Sequence, residues 1–551
     1  MSVKDHVEVK QSEIDGAGRG LFARQDFSPG ALVASVDRPL VAELEINHML
    51  DTCGWCFQRA AVDPLEREQA ASMGLPSAFI EVKSCTGCRR VGYCSKTCQS
   101  KGWKREHKHE CKVLVDRPDL PVHVRAVVKL LGRLKAASAG SEKQQLLEIL
   151  QFRPAVREED LDCIRKQNKQ KFDEHNTLAQ AAWNYAGKPV FDGANSQTVS
   201  TGLLFNLIHN TVELSSALDN VRVGSGFDPL ICSANHSCEP NAVLIFNQPS
   251  VALRALRPIK KGEEILLAYT DVTCPFAIRQ ANLTEEFSFT CQCPKCKRGL
   301  DIPEIPEEAF AKRPEDLPAA YHTFADRLIQ ESQTALPKFL LGRDGANVHV
   351  KRLVALEMAA FAVSQTDEPM DHEVRDALQR CINSGMWSWT RQPVPQLCHH
   401  LFRIYLTGGE IYKAFRLGCK IFFEIDPALH PQTFYPDRLV FAWVLSTLTN
   451  VLAGPVYEEL YKELAQSGLE LRVIYFGFLF YVYDNIPKMH GWESPLGKVV
   501  DNTYKQIMAG VGLSRTEIEG KVERFWPNLE IYARSVDVIK LCESSDDDHL
   551  S

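Results

Sequence analysis

Eight cysteine and histidine residues between positions 53 and 111 stand in four pairs, at a spacing typical of metal ligands. The pairs are Cys53-x2-Cys56, Cys85-x2-Cys88, Cys94-x3-Cys98 and His107-x3-Cys111. Thiolate and imidazole groups at such short spacing close one side of a tetrahedral site, and eight of them suit two zinc ions. The sequence therefore predicts two zinc ions here, rather than scattered structural cysteines.

Four further segments carry residue types that bind cofactors or take part in chemistry. In chain order they are Gly16-Ala-Gly18-Arg19-Gly20-Leu-Phe22, Asn235-His236-Ser237-Cys238-Glu-Pro240-Asn241, Gly262-Glu-Glu264-Ile-Leu-Leu-Ala-Tyr269 and Cys291-x-Cys293-x2-Cys296. The glycine-rich segment taken alone also fits a simple tight turn. The last segment offers three ligands where zinc needs four.

The order of these segments around the cysteine pairs resembles the SET-and-MYND (SMYD) family of lysine methyltransferases, over about the first 300 residues. The resemblance implies a SET domain interrupted by a MYND zinc finger with interleaved ligand pairs. One ion would be held by Cys53, Cys56, Cys94 and Cys98, and the other by Cys85, Cys88, His107 and Cys111. In a post-SET cluster, Cys238 would join Cys291, Cys293 and Cys296 around a third zinc ion.

The resemblance also implies an activity, the transfer of a methyl group from S-adenosylmethionine to a lysine of a histone or non-histone protein. Such an in-line displacement depends on positioning and electrostatics. The lysine must arrive neutral, and an apolar aromatic channel favours this by desolvating its ammonium. By resemblance, Tyr269 would be the catalytic residue beside the reacting methyl group and amine, and Phe287 would line the lysine channel.

The cofactor contacts that the resemblance implies are spread along the first 300 residues. They are Gly18, Arg19, Gly20, Asn210, Asn235, His236, Tyr269 and Phe289. Asn235 would act through its side chain and His236 through its backbone carbonyl, both at the amino-acid end of the cofactor, and Phe289 would stack on adenine. Asn210 also fits a helix-capping residue.

Three features depart from the family pattern. Ala17 stands where family members often have Lys or Arg, which removes one contact to the cofactor carboxylate. Phe287 stands where a tyrosine is common, so the lysine amine loses a polar partner. The 28 residues between Cys56 and Cys85 form a longer insertion than is usual.

Three classes of function compete for this chain. The first is an active methyltransferase, which the intact Asn235–Asn241 string, Tyr269 and the complete ligand set favour. The second is a non-enzymatic scaffold or transcriptional regulator that binds peptides through the MYND finger and has a degenerate SET domain. The third is a DNA-binding regulator, but two fused zinc sites without a recognition helix provide no base-reading element.

Charge bears on the choice of partners. The net charge of −7 argues against nucleic-acid binding by the whole chain, although residues 301–551 carry about −10 and residues 1–300 about +3. Residues 83–112 hold nine Lys or Arg against two Glu. This basic patch predicts contact with a peptide or a nucleic acid, or else a solvated face that offsets the thiolate charge.

The elements that must position these residues predict an α+β chain of several domains. Alternating apolar residues predict short strands before residue 45 and over 225–272, and apolar spacing of three and four predicts a helix over Val124–Leu134. Beyond about residue 318, successive helices such as Val350–Ser364, Gln396–Thr407 and Tyr457–Leu469 suggest stacked, TPR-like helix pairs.

The domain boundaries follow from these patterns. We predict the N-terminal part of the SET domain at 1–52, the MYND finger at 53–111, a helical insertion at 112–224, the core SET domain at 225–272, the post-SET segment at 273–300, a helical domain at 301–545 and an acidic tail at 546–551. No run is long enough to span a membrane and the first residues lack a secretory signal. We therefore expect an intracellular protein, in the nucleus or the cytoplasm. Separately, we expect a monomer.

Overall fold

The computed structural model of the chain divides into two compact units. It describes residues 6–60, 80–137, 165–166, 169–190, 196–215, 221–287, 289–297, 361, 364, 369–383, 388–454, 457, 461–462, 464–465 and 468–543. The first unit comprises residues 1–235, 240–267 and 487–501, and the second comprises residues 236–239, 268–486 and 502–551. The four residues His236–Glu239 thus belong to the second unit, although the chain on both sides of them belongs to the first.

Short antiparallel strands form the framework of the first unit. They are β1 (Val7–Gln11), β2 (Arg19–Ala23), β3 (Leu32–Val36), β4 (Val41–Leu44), β5 (Lys83–Ser84), β6 (Gly92–Tyr93), β7 (Val212–Ser215), β8 (Arg222–Phe227), β9 (Asn235–His236), β10 (Ala242–Asn247), β11 (Ser250–Ala255) and β12 (Glu264–Leu267). The sheet orders are β1-β2-β12-β9, β10-β11-β3, β4-β8-β7 and β5-β6. Most residues of β2, β4 and β8 are buried, and Leu21 of β2 pairs with the equally buried Ile265 of β12.

The helices of the first unit cover the zinc-binding segment and the insertion after it. They are α1 (Lys96–Arg105), α2 (Cys111–Asp116), α3 (Val122–Ala136), α4 (Lys169–Tyr185) and α5 (Ser196–Asn210). The helix predicted over Val124–Leu134 is confirmed as α3, which buries Val128 and Leu131 completely and packs against β4.

A segment from far along the chain also belongs to the first unit. In Pro487–Asp501, the carbonyl of His490 accepts a hydrogen bond of 2.8 Å from Asn247 Nδ2. The guanidinium of Arg254 donates to the carbonyl of Gly30 at 3.0 Å and to that of Pro487 at 3.2 Å. These bonds attach the segment to strands β10 and β11.

The second unit is mainly helical. Its helices are α6 (Phe276–Phe287), α7 (Pro294–Lys297), α8 (Asp371–Asn383), α9 (Val394–Thr407), α10 (Ile411–Lys420), α11 (Asp426–Leu429), α12 (Pro436–Leu452), α13 (Leu471–Asn485), α14 (Pro495–Val511), α15 (Arg515–Ser535) and α16 (Val538–Glu543). The residues of α14 up to position 501 are assigned to the first unit and the rest to the second. Consecutive helices pack in pairs, such as α8 with α9 and α12 with α13. This arrangement confirms the α+β class with a helical C-terminal part.

Predictions for individual helices have different outcomes. The helix predicted at Gln396–Thr407 is confirmed by α9. Most of Val350–Ser364, parts of Tyr457–Leu469 and the acidic tail lie outside the described residues. Among the helices that are described, none is long and apolar enough to cross a membrane.

Candidate functional site

Twelve ligand atoms come together in three groups of four, and these are the groups that the resemblance implies. The groups are Cys53, Cys56, Cys94 and Cys98; Cys85, Cys88, His107 and Cys111; and Cys238, Cys291, Cys293 and Cys296, and within each the ligand atoms lie within 4.8 Å of one another. A tetrahedral zinc with Zn–S bonds of about 2.3 Å separates its sulfurs by about 3.8 Å. The sulfur pairs here are 3.5–3.9 Å apart. The three clusters are therefore zinc sites.

Local structure explains why the ligands of the first two sites converge. Cys85 and Cys88 lie on the turn of the β5–β6 hairpin, and Cys94 follows β6 directly. Ser95 caps α1 by accepting a hydrogen bond of 3.1 Å from the backbone N–H of Cys98, which fixes the first turn of the helix next to Cys94. A short hairpin and one capped helix thus supply ligands to both sites, which is why the ligand pairs interleave.

His107 is oriented for zinc by a carboxylate. Its Nε2 lies 3.5 Å from Cys88 Sγ, and its Nδ1 lies 2.9 Å from Oε1 of Glu110. A ligating histidine commonly donates its second N–H to a carboxylate in this way, which fixes the ring and raises its basicity. Burial opposes a charge on His107, but contacts with Cys88 and Glu110 outweigh it and raise its pKa to about 10. The thiolates and the carboxylate around the ring favour a positive charge, which a zinc ion supplies when the neutral imidazole binds it.

Glu110 in turn belongs to a buried charge network beneath the zinc finger. Lys129 of α3 lies 3.1 Å from Glu110, 2.9 Å from Glu43 of β4 and 3.8 Å from Glu106. Arg125, one turn earlier on α3, lies 3.4 Å from Glu43. Both cations and all three carboxylates are largely buried, so the second zinc site is connected by charge to the strand and the helix below it.

The third zinc site is surrounded by aromatic rings. Cys238, Cys291 and Cys296 are buried in one apolar cluster with Phe276 and Leu283 of α6. Packed against this cluster are Tyr269, Phe287 and Phe289. The ring centroid of Tyr269 lies 5.0 Å from that of Phe287 and 6.4 Å from that of Phe289. The residue predicted to be catalytic and the two predicted aromatic contacts therefore lie together.

His236 stands between the third zinc site and Tyr269. Its Nδ1 accepts a hydrogen bond of 3.0 Å from the backbone N–H of Tyr269, and its Nε2 lies 3.3 Å from Cys238 Sγ. Its ring centroid is 5.3 Å from that of Tyr269 and 5.9 Å from that of Phe289. Burial lowers the pKa of His236 to about 4, so the ring is neutral at physiological pH. The imidazole thus contacts both the third zinc site and the backbone of Tyr269, apart from the predicted role of the backbone carbonyl.

In the first unit, Asn235 lies beside the glycine-rich segment. Its Nδ2 donates to the carbonyl of Arg19 at 3.0 Å and to Oε1 of Glu264 at 2.7 Å. Both amide hydrogens are therefore directed at protein oxygens, and Oδ1 is the acceptor that remains for a ligand. An acceptor of this kind fits the α-ammonium of a bound S-adenosylmethionine.

The glycines of this segment have different structural roles. Gly16 and Gly18 have φ of 76° and 73° and form the turn that ends the β1–β2 hairpin, closed by a hydrogen bond of 2.8 Å from Ser12 N–H to the Gly18 carbonyl. A side chain on Gly20 would instead meet the carboxylate of Glu264. The tight-turn interpretation thus holds for the first part of the segment.

Asn210 is the last residue of α5. Its Nδ2 donates to the carbonyl of Asn206 at 2.9 Å, one turn back in the same helix. Asn210 therefore contributes to the end of its own helix, in line with the helix-capping alternative weighed from the sequence. Its contact with the cofactor stays a prediction.

The basic patch faces solvent. Its exposed residues include Lys96, Lys101, Lys104, Lys108 and Lys112, together with the half-exposed ring of Trp103. Both glutamates of the segment, Glu106 and Glu110, are buried in the charge network. The surface is therefore more basic than the sequence count indicates, and a peptide or nucleic-acid contact there stays a prediction.

Sequence reasoning missed the acidic partners of these sites. Glu264 contacts Asn235 and Glu110 contacts His107, both predicted site residues, and Lys129 and Glu43 complete the network behind Glu110. One signal was present for Glu110, since a residue three positions after His107 in helical backbone lies beside the imidazole. Glu264 lies inside the quoted Gly262–Tyr269 segment, but nothing in that segment points to Asn235.

Comparison with known proteins agrees with this arrangement. A family model described as SET domain matches residues 18–270. Histone-lysine N-methyltransferase SMYD3 of Homo sapiens is 27% identical over 377 residues, which cover 65% of this chain and 78% of that protein. SET domain and MYND-type zinc finger protein 6 of Schizosaccharomyces pombe is 29% identical over 51% of this chain, and N-lysine methyltransferase SMYD2 of Homo sapiens is 28% identical over 51%. The matches span 50% and 58% of these last two proteins, respectively.

Proposed function

Because the chain belongs to the SET-and-MYND family, we propose that it is a protein-lysine N-methyltransferase with S-adenosylmethionine as methyl donor. Its substrate is a lysine side chain of a histone or non-histone protein, as for the relatives named histone-lysine and N-lysine methyltransferases. The bound cofactor supplies an electrophilic methyl group. What this chain supplies is the binding, orientation and desolvation of the two reactants.

The observation that carries the proposal is the packing of Tyr269 among aromatic rings at a zinc site. Phe287 and Phe289 give the phenol an apolar surrounding, in which a lysine amine is more easily held neutral than in water. The Tyr269 hydroxyl would orient the lone pair of that amine along the line of displacement. Such orientation accounts for a large part of the barrier reduction in a reaction of this type.

The cofactor would be held at its two ends by different residues. Oδ1 of Asn235 and the carbonyl of His236 are acceptors for its ammonium, while Gly18, Arg19, Gly20 and Asn210 would border it, and Phe289 would stack on its adenine. Ala17 offers no cation to the carboxylate of the cofactor. We therefore expect the ammonium contacts to matter more here than in relatives that have Lys or Arg at that position.

Incubation of the purified full-length chain with labelled S-adenosylmethionine and a cell lysate tests the proposal. We expect label on lysine residues of specific proteins, identified by mass spectrometry, and S-adenosylhomocysteine binding in calorimetry. A chain that binds neither cofactor nor product would be the scaffold protein with a degenerate SET domain. Residence in the nucleus or the cytoplasm, and the monomeric state, stay predictions from the sequence.

A further inference from the structure

Glu264 accepts a hydrogen bond from the amide of Asn235, and both of its carboxylate oxygens are engaged. Oε1 accepts the hydrogen bond of 2.7 Å from Asn235 Nδ2, and Oε2 accepts one of 2.9 Å from the hydroxyl of Ser12. Glu264 and Asn235 are half-buried and Ser12 is buried. The carboxylate is thus held in place by strand β12, which carries it, and by the end of β1.

This arrangement fixes which way the amide of Asn235 points. An asparagine side chain has a donor end and an acceptor end of nearly equal shape, so its orientation depends on its partners. Here the partners of one end, the carboxylate of Glu264 and the carbonyl of Arg19, are both pure acceptors. Only Nδ2 can face them, and Oδ1 must face away from them.

The absence of a side chain at Gly20 permits the contact. A Cβ atom there would lie 2.1 Å from Oε1 of Glu264 and 3.1 Å from Nδ2 of Asn235. Gly20 lies within strand β2 and, unlike Gly16 and Gly18, is not among the positive-φ glycines. Position 20 therefore requires glycine because a side chain would occupy the space of the Glu264 carboxylate, and not because of its backbone conformation.

We propose that Glu264 is a positioning residue for the cofactor, which holds Asn235 with Oδ1 directed at the α-ammonium of S-adenosylmethionine. This inference rests on the proposed function and names the residue that sets one of its contacts. The negative charge also strengthens the amide as an acceptor, because a charge-assisted bond at Nδ2 polarises the group. Loss of Glu264 should therefore lower the affinity for ligands that have an α-ammonium group and leave the affinity for ligands without one unchanged.

Calorimetry with two ligands on the full-length, zinc-loaded chain tests this selectivity. S-adenosylhomocysteine has the amino-acid end, and 5′-methylthioadenosine keeps the adenosine and the thioether but lacks that end. Glu264→Ala should lower the affinity for S-adenosylhomocysteine about ten- to hundredfold. The affinity for 5′-methylthioadenosine should stay within about twofold of the wild-type value. Glu264→Gln should recover part of the loss, since its side-chain oxygen still accepts from Asn235.

Two further variants separate positioning from general damage. Glu263→Ala removes the neighbouring carboxylate, which contacts Asn241 and Arg257 instead, and should leave both affinities unchanged. Gly20→Ala should reproduce the selective loss by displacing the carboxylate. Added to Glu264→Ala, it should cause a smaller further loss of affinity than it causes alone, because its severest clash is with the carboxylate that Glu264→Ala removes.

The outcomes are distinguishable. Wild-type protein that binds neither ligand contradicts the proposed function itself. Wild-type protein that binds both, with a Glu264→Ala variant that loses both equally or loses neither, overturns the positioning role. If Glu264→Ala does not fold, Gly20→Ala and Glu264→Gln test the positioning role instead. The measured quantity is the affinity for S-adenosylhomocysteine divided by the affinity for 5′-methylthioadenosine. If this ratio equals the wild-type ratio in both variants, the positioning role is overturned.

Discussion

The backbone N–H of Tyr269 donates a hydrogen bond of 3.0 Å to Nδ1 of His236. Because Nδ1 accepts, the proton of the neutral ring is on Nε2, which lies 3.3 Å from the sulfur of Cys238. A zinc-bound thiolate is a good acceptor for that proton. One imidazole therefore connects the third zinc site to the backbone of the proposed catalytic residue.

Two substitutions at His236 should separate its two contacts. His236→Asn keeps an acceptor near the position of Nδ1, and His236→Gln keeps a donor near the position of Nε2. We expect the Asn variant to release zinc faster to a chelator and the Gln variant to lose turnover, since an N–H without its partner costs about 1–3 kcal/mol when shielded from water. Zinc release followed with a metal-sensitive dye, alongside steady-state methyl transfer, measures both effects. Identical behaviour of the two variants in both assays would contradict the bridging role.

Tyr269→Phe should lower kcat by roughly a hundredfold, because misplacement of a reacting group has effects of that size. Affinity for S-adenosylhomocysteine should stay within about twofold, since the phenol is proposed to act on the amine. Tyr435→Phe is the matched control, since it removes a phenol whose ring stacks on His430 at 3.8 Å. Unchanged turnover in Tyr269→Phe would show that another residue orients the lysine.

The zinc-ligand pairs between residues 53 and 111 could be predicted because their signals are local, whereas Cys238, Tyr269, Phe287 and Phe289 were assigned by the family resemblance. Each ligand pair is closed by two or three intervening residues, and the family pattern assigns the pairs to ions. The contact between Asn235 and Glu264 has no such signal, because it depends on the register of β12 against β2 and on the space at Gly20. The pairing of Lys129 with Glu43 likewise joins residues 86 positions apart.

Some residues fit two roles in the sequence because short-range geometry permits both. Gly18 was assigned to the cofactor and also fitted a turn, and its positive φ in the β1–β2 hairpin shows the turn. Asn210 lies at a helix end where an amide satisfies a backbone carbonyl. Such residues can serve the backbone and a ligand together, and only binding experiments separate the two.

Metal analysis of the purified chain should give three zinc ions per molecule. Cys238→Ser should give two, together with weaker binding of S-adenosylhomocysteine, because the third zinc site supports the rings of Tyr269 and Phe289. Cys232→Ser changes a half-buried cysteine outside the three ligand groups and should retain three ions. Two ions or fewer in the intact wild-type protein would refute one of the ligand groups.

Lys129 should be among the most destabilising positions to change in the first unit. Its ammonium lies 2.9 Å from Glu43 and 3.1 Å from Glu110, and only 12% of its side chain is exposed. Burial opposes the charge on Lys129, but the carboxylates of Glu110 and Glu43 outweigh it and raise its pKa. The lysine is therefore charged at neutral pH, and its loss leaves two buried carboxylates without their shared cation.

Lys129→Met, which fills a similar volume, should lower the free energy of unfolding by about 3–5 kcal/mol, because one partner of a buried pair is removed. Lys83→Met is the control, since Lys83 pairs with Glu81 at 3.5 Å with 76% of its side chain exposed, and such pairs contribute about 0–1 kcal/mol. Urea unfolding of the zinc-loaded full-length chain, followed by fluorescence, compares the two. The Lys129 variant should also release zinc faster, because Glu110 orients His107. If both variants unfold at the same urea concentration and retain zinc equally, the buried network does not support the second zinc site.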